Sequence, residues 1–169
     1  MNPDVDLVQR WVRWAASSTR FRNPIGDSTG KLAGRRQPDD VFFLAGNFGG
    51  RTSRRCTVPA GRPLFFPTFN YWMWANHGEL ARWGHAAGSA TFNGVPQTVA
   101  EIGAAEPFVV RGVWLNPVTN TLWGGKAKMR CWGLWVLVPP PAPGAHELHI
   151  SGTDGHNFHV GVDYALTVC

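Results

Sequence analysis

The sequence predicts an all-β single domain, an antiparallel β-sandwich or jelly roll with a short N-terminal helix and an inserted Trp-rich loop. Three observations carry this prediction. About eight short apolar or alternating segments recur between Gly- and Pro-rich turns. A single stretch, near the start, has helical spacing. The 169 residues are 44% hydrophobic and 16% charged, which suits one domain with a real core and excludes a disordered or coiled-coil chain. Residues 1–169 are taken as that one domain, with the helix and an extended lead-in over 1–38 and the loop over 71–90.

The helix is expected over residues 6–17. Leu7, Trp11, Trp14 and Ala15 recur on one face, Arg10 and Arg13 lie on the other, and Asp4 or Asp6 suits the N-terminal end. Residues 21–38 read as extended and turn-rich around Asn23-Pro24, Gly26-Asp27 and Thr29-Gly30. Residues 41–48 form a short apolar strand. Gly49-Gly50 is a hairpin signal leading into residues 51–58, where Thr52, Arg54, Cys56 and Val58 share a face. A strand over 64–70 follows the turn at 59–62. Residues 71–90 break the pattern and hold Trp72, Trp74 and Trp83; long loops of this kind often carry binding functions.

Strands resume at 90–92, turn at Asn93-Gly94, and continue at 95–99, 108–115 and 129–138, before a proline-rich turn ending at Gly144. The last hairpin pairs residues 146–150 with 158–168. A three-residue loop at 154–156 brings Leu148, Ile150, Val160 and Val162 to one side. It sets His146 inward, across from Tyr164, and leaves Glu147, His149, His159 and Asp163 outward. The outward set could hold a metal only loosely, and no metal motif is present.

The net charge is +5, and Arg dominates the cations. Arginine suits anionic or nucleic-acid ligands, although a solvated surface accounts for the same balance. Cys56, Cys131 and Cys169 cannot all pair, which slightly favours a reducing compartment and leaves a Cys56–Cys131 bridge open. No leader is visible and no apolar run is long enough to span a bilayer. The expectation is a cytoplasmic protein as encoded, or an extracellular one whose leader was removed, with no membrane partner.

Asn23-Pro24, Asp27 with Thr29-Gly30, Gln37, the stretch from Phe43 to Gly46, the stretch from Arg55 to Gly61, Phe66-Pro67 and Asn70 together form a motif series. It resembles an uncharacterised family of small bacterial, often exported, all-β proteins, and the ending from Pro141 to Val168 is similar to that family's ending. The resemblance covers about residues 11–70 and 130–168 and names no activity. It implies a cysteine just after the Asp27–Gly30 turn, paired with Cys56; Ala33 or a neighbour stands there instead.

Several side chains are candidates for chemistry. Asp27 could act as acid or base, Arg55 could bind an anionic group, Asn70 could orient a carbonyl, and Gln37 stands with them in the motif. The same set could equally satisfy turns and buried backbone. His146 opposite Tyr164 is the best acid–base pair, or a hydrogen-bonded core pair. Trp72, Trp74 and Trp83 could wall a pocket or stack on a flat substrate, or simply pin their loop. No serine-hydrolase, phosphate-loop, dinucleotide or haem motif is present, so no cofactor is expected.

The reading carried forward is a protein that binds a small, largely apolar organic molecule in a Trp-lined pocket, as a binder or as a cofactor-independent cyclase, isomerase or lyase. His146, Tyr164 and Asp27 would then move protons, and Trp72, Trp74, Trp83, Arg55, Asn70 and Gln37 would hold the substrate. The alternatives are a non-catalytic carbohydrate- or ligand-binding module and a single-stranded nucleic-acid binder.

Overall fold

The computed structural model describes residues 3–169. It is an all-β domain with one N-terminal α-helix, arranged in three layers. The helix α1 (Pro3–Ala16) is the outermost layer. The middle sheet has the order β1-β3-β7-β6, with β1 Phe42–Phe43, β3 Leu64–Trp74, β6 Ala100–Gly112 and β7 Gly125–Val138. The third layer is a five-stranded sheet in the order β2-β9-β8-β4-β5. Its strands are β2 Gly50–Val58, β4 Ala87–Phe92, β5 Val95–Pro96, β8 Gly144–Thr153 and β9 His159–Val168.

The two faces of the middle sheet explain the excess of large apolar residues. Along β7, Ala127, Met129, Cys131 and Trp135 face α1, where they meet Val8, Trp11, Val12 and Ala15. Val136 and Val138 point the other way, onto Leu148, Ile150, Val162 and Leu166 of the third layer. A strand buried on both faces reads as a continuous apolar run, as β7 does over residues 131–138. Trp11 contacts Trp135 edge-on at 5.4 Å and Trp14 at 5.9 Å, and Phe65 stacks on Trp135 at 5.1 Å.

Several expectations are corrected. Residues 41–48 do not pair with 51–58 through a Gly49-Gly50 hairpin. Instead β1 runs parallel to β3, and β2 runs parallel to β9, so both sheets are mixed. The glycines carry the chain between sheets, and Asn47 secures the crossing by donating to the Gly50 and Gly161 carbonyls. The expected loop at 71–90 is shorter than predicted: β3 runs to Trp74, and β4 begins at Ala87. Tyr71, Trp72, Met73 and Trp74 continue the strand alternation, for which bulky aromatics are well suited. The irregular connection is confined to residues 75–86. The predicted strand at 108–115 begins earlier, at Ala100, and stops at Gly112.

In the last hairpin the faces are as expected but the register differs by two residues. Leu148 lies opposite Tyr164, and His146 lies opposite Leu166. The cause is a longer loop. The Asp154 carboxylate accepts from the backbone N–H groups of His156 and Phe158, folding residues 154–158 into the connection. The Asn93-Gly94 turn stands as predicted, with φ +51° and +77°.

A close approach fixes the two sheets relative to each other. Gly88 of β4 and Gly152 of β8 are paired neighbours, and both face Thr68 on β3. The strand is irregular between Pro67 and Phe69, where a bulge pushes Thr68 toward the third layer. A Cβ on Gly152 would fall on the Thr68 carbonyl oxygen, and one on Gly88 on its hydroxyl. Beyond the bulge, Asn70, Trp72 and Trp74 face α1, while Phe69, Tyr71 and Met73 face the other way.

Candidate functional site

Most of the polar residues singled out in the sequence are held by the fold. The Asp27 carboxylate accepts from the Thr29 N–H (2.8 Å), the Thr29 hydroxyl (2.7 Å) and the Leu32 N–H (2.8 Å). Burial pushes its pKa up, but these donors and the Arg54 charge outweigh burial and hold it below the ordinary carboxylate value. A carboxyl whose folded pKa is depressed stabilises the fold above its unfolded pKa and loses that contribution as pH falls through the folded one. Asp27→Asn is therefore expected to flatten the acid limb of the stability–pH curve below about pH 4. Thermal unfolding measured from neutral to acid pH checks this.

Gln37 mimics a strand neighbour. Its amide donates to the Ala33 and Phe43 carbonyls (both 2.7 Å) and accepts from the Phe43 N–H at 2.8 Å. Arg55 presents its side chain to solvent, while its backbone N–H donates to Thr29 at 2.9 Å. The residue beside it, Arg54, is 2% exposed. Its Nη1 donates to Ala45 O (2.9 Å), Gly46 O (3.0 Å) and the Tyr164 hydroxyl (2.8 Å), and its Nη2 to Ile25 O (2.9 Å). Tyr164 in turn donates to Ala45 O at 2.8 Å. Burial raises the pKa of Tyr164 and Arg54 opposes it, so the phenol stays protonated at neutral pH. Sequence alternation on 51–58 placed Arg54 on one face with Cys56 and Val58; that the face is the inner one, and the arginine a structural hub, comes from the structure.

His146 and Tyr164 do not form a pair. The His146 ring stacks on Phe92 at 5.1 Å and joins Asn93 to the proline-rich turn. Its Nδ1 faces the Asn93 amide nitrogen at 2.9 Å, and its Nε2 faces the Ala142 carbonyl at 2.7 Å. A carbonyl only accepts and an amide N–H only donates, so both ring nitrogens are engaged by the fold. His149 meets Asp163 at 2.7 Å on the outer face. Among the described residues no group of three His, Cys, Asp or Glu side chains could hold a metal.

The three tryptophans divide between two faces of the middle sheet. Trp83 packs on Tyr71 (5.2 Å) and Phe69 (5.8 Å), on the side away from α1. Its segment is anchored by the Arg82–Glu101 ion pair, and Glu101 also accepts from the Trp132 indole at 3.1 Å. Trp74 stacks on His77 at 6.3 Å. Trp72 lies on the helix side, 6.3 Å from Trp11.

Three pairs of the predicted set share a cavity: Arg55 with His146 and Arg55 with Tyr164 in open grooves on the third layer, and Asn70 with Trp72 at the edge of β3. β1 covers β3 only at Leu64 and Phe65; beyond them the chain turns away toward the third layer, and the edge of β3 is left without a strand neighbour. Pro67, which lacks an N–H, sits at this edge, where proline is tolerated. A cavity of about 60 Å³ opens there, lined by Trp11, Phe48, Phe69, Asn70, Trp72 and Phe158 among others. Two buried donors on this side have no oxygen or nitrogen partner: Asn70 Nδ2, which lines the cavity and whose amide reaches only the Cys131 sulfur, and Trp135 Nε1, which lies behind the lining. Both border the space above Gly133, where an added Cβ would lie 2.6 Å from the Asn70 Cβ and 2.8 Å from the Trp135 nitrogen. The other buried indoles on this side are satisfied: Trp11 donates to Leu44 O at 2.9 Å and Trp14 to Arg35 O at 2.8 Å. Sequence reasoning found Asn70 and missed Trp135, Trp11 and Gly133. A lone glycine inside the apolar run of β7 was the available signal, because strand glycines mark close approach.

Cys131 lies behind this site, fully buried, and burial pushes its thiol up to about 12. Cys56 is likewise pushed up to about 12, and all three cysteines are free thiols. Buried Cys131 and half-buried Cys56 are thus poor nucleophiles at neutral pH.

No family model matches the chain, and no curated protein does either. Among solved structures, PbICP-C in complex with falcipain-2 is 15% identical. The match covers 75% of this chain and 98% of that one, with a TM-score of 0.32. The solution structure of Amebosin is 9% identical over 75% of this chain and 96% of that one, with a TM-score of 0.27. Likenesses this weak say nothing about fold or function.

Proposed function

We propose that this protein binds a small, largely apolar molecule carrying a hydrogen-bond acceptor, such as a carbonyl, in the aromatic cavity at the open edge of β3. The observation that carries this reading is Asn70 Nδ2, a buried donor without an oxygen or nitrogen partner in the lining of a largely aromatic cavity, with the unpaired Trp135 Nε1 behind it. A buried donor without a partner costs about 1–3 kcal/mol, so two of them together call for an acceptor that arrives with the ligand. The rings of Trp11, Trp72, Phe69 and Phe158 suit a flat or cyclic hydrocarbon body. A cavity of about 60 Å³ selects a small molecule or one small end of a larger one. The proposal is of binding: Asp27, Tyr164 and His146 each have their polar atoms committed to the fold.

Cyclopentanone and cyclopentane, nearly equal in shape, make the test. Cyclopentanone is expected to shift the Trp135 indole N–H resonance saturably, and cyclopentane is not. Asn70→Leu removes one donor at similar volume. It is expected to weaken cyclopentanone binding about tenfold while leaving the unliganded protein as stable as before, or more so. Equal shifts from both compounds, or undiminished binding by the variant, would overturn the proposal.

A further inference from the structure

The loop joining β6 to β7, residues 113–124, folds into a small hairpin held by the Asn116–Thr121 bridge and the Leu115 N–H bonded to Leu122 O. It is tied to the body through Asn116, whose amide donates to Ala16 O and Ser18 O, and through Arg20, whose N–H donates to Leu115 O. This framework is satisfied internally, yet the side chains it displays are apolar and exposed. Trp123 is 88% exposed, Phe21 71%, Leu122 58%, Trp114 54% and Phe48 53%. Phe48 and Leu122 line one groove of about 590 Å³ with Arg20, and Phe21, Trp114 and Trp123 are the immediate chain neighbours of its lining residues Arg20, Leu115 and Leu122. Scattered exposed apolar residues need no explanation, but five large ones grouped at one end do.

The charge at this end is of one sign. Arg20 and Arg22 flank Phe21, and Arg111 and Lys126 pair across the strands that carry the hairpin, with Lys128 one step further. Among the described residues none of these five cations is in an ion pair. The sequence contains no Asp or Glu from Leu7 to Gly26, and none from Pro107 to His146. The nearest acids along the chain are Asp27, five residues from Arg22 with both carboxylate oxygens bonded within its own turn, and the exposed Glu106, five residues from Arg111.

We infer that this end of the molecule docks on the surface of an anionic phospholipid bilayer. Trp114, Trp123 and Phe21 would enter the headgroup layer, and the arginines and lysines would face the phosphates. Amphipathic rings favour the membrane–water interface, and clustered Lys and Arg are drawn to anionic lipid. Leu122 separates this surface from a nucleic-acid platform: an aliphatic chain offers no face for base stacking but gains from immersion among acyl chains. Such a contact needs no spanning segment, so it is compatible with the absence, among the described residues, of a helix long and apolar enough to cross a membrane.

Sedimentation with sucrose-loaded vesicles of phosphatidylcholine, with and without phosphatidylglycerol, tests this directly and is independent of the cavity. The protein is expected to sediment with the phosphatidylglycerol vesicles and to be released by high salt. Arg20→Gln with Arg22→Gln is expected to weaken partitioning by roughly twenty-five-fold, about fivefold per charge. Leu122→Ser with Trp123→Ser is expected to weaken it at least tenfold, with circular dichroism and thermal unfolding unchanged because both side chains are exposed. Failure to sediment with anionic vesicles, or wild-type partitioning by both double variants, would overturn the inference. So would tighter binding to a single-stranded oligonucleotide than to the vesicles.

Discussion

Arg54→Met is expected to destabilise the protein by about 3–5 kcal/mol, and so to lower its unfolding temperature by roughly 10 °C or more. The guanidinium is the common partner of three carbonyl oxygens, on Ile25, Ala45 and Gly46, and of the Tyr164 hydroxyl. These groups come from the lead-in segment, the crossing between sheets and β9. Methionine fills much of the volume but bonds none of them, and each buried acceptor left dry costs about 1–3 kcal/mol. Arg54→Lys is expected to fall between, because an ammonium keeps the charge but cannot fork to groups on opposite sides. Arg55→Met, at an exposed position one residue along, is the control and is expected to change stability by less than about 0.5 kcal/mol. Urea titrations of the three variants check all of this.

Gly152→Ala is expected to cost at least about 3 kcal/mol, more than overpacking usually does. The added methyl would meet main chain, the Thr68 carbonyl carbon and oxygen, and not the movable end of a side chain. Relief requires the sheets to part or the bulge at Pro67–Phe69 to shift, and either displaces Asn70 two residues on. Gly88→Ala meets the Thr68 hydroxyl and Cβ, which Thr68→Ala would partly clear. Restoration of stability in Gly88→Ala/Thr68→Ala, but not in Gly152→Ala/Thr68→Ala, would separate side-chain from backbone crowding.

Local chemistry made the elements legible. Alternation along 51–58 and 158–168, helical spacing near the start and the Asn93-Gly94 turn each reflect forces acting within a few residues. Pairing was not legible where it joins distant segments. Gly49-Gly50 looks like a hairpin turn whether the next strand folds back or crosses to another sheet, and only the distant β9 decides. The register of the last hairpin turned on the Asp154 carboxylate capping a five-residue loop, which apolar alternation does not register. For the site, Asn70 and Trp72 were visible as unusual residues in a plausible place. Trp135 was not, because a tryptophan with an unpaired N–H is spelled the same as one whose N–H is bonded.

The parallel pairing of β2 with β9 sets an order of assembly. Gly50 pairs with Val160 and Val58 with Val168, so a strand made in the first third of the chain waits for the last ten residues. Until they arrive, the third layer lacks its link to β2, and the inward side chain of Arg54 has no Tyr164 to bond. Contacts this remote in sequence slow folding and keep a strand edge open during synthesis. The β6–β7 hairpin, whose contacts are more local, can form first, leaving β9 as the piece that closes the third layer.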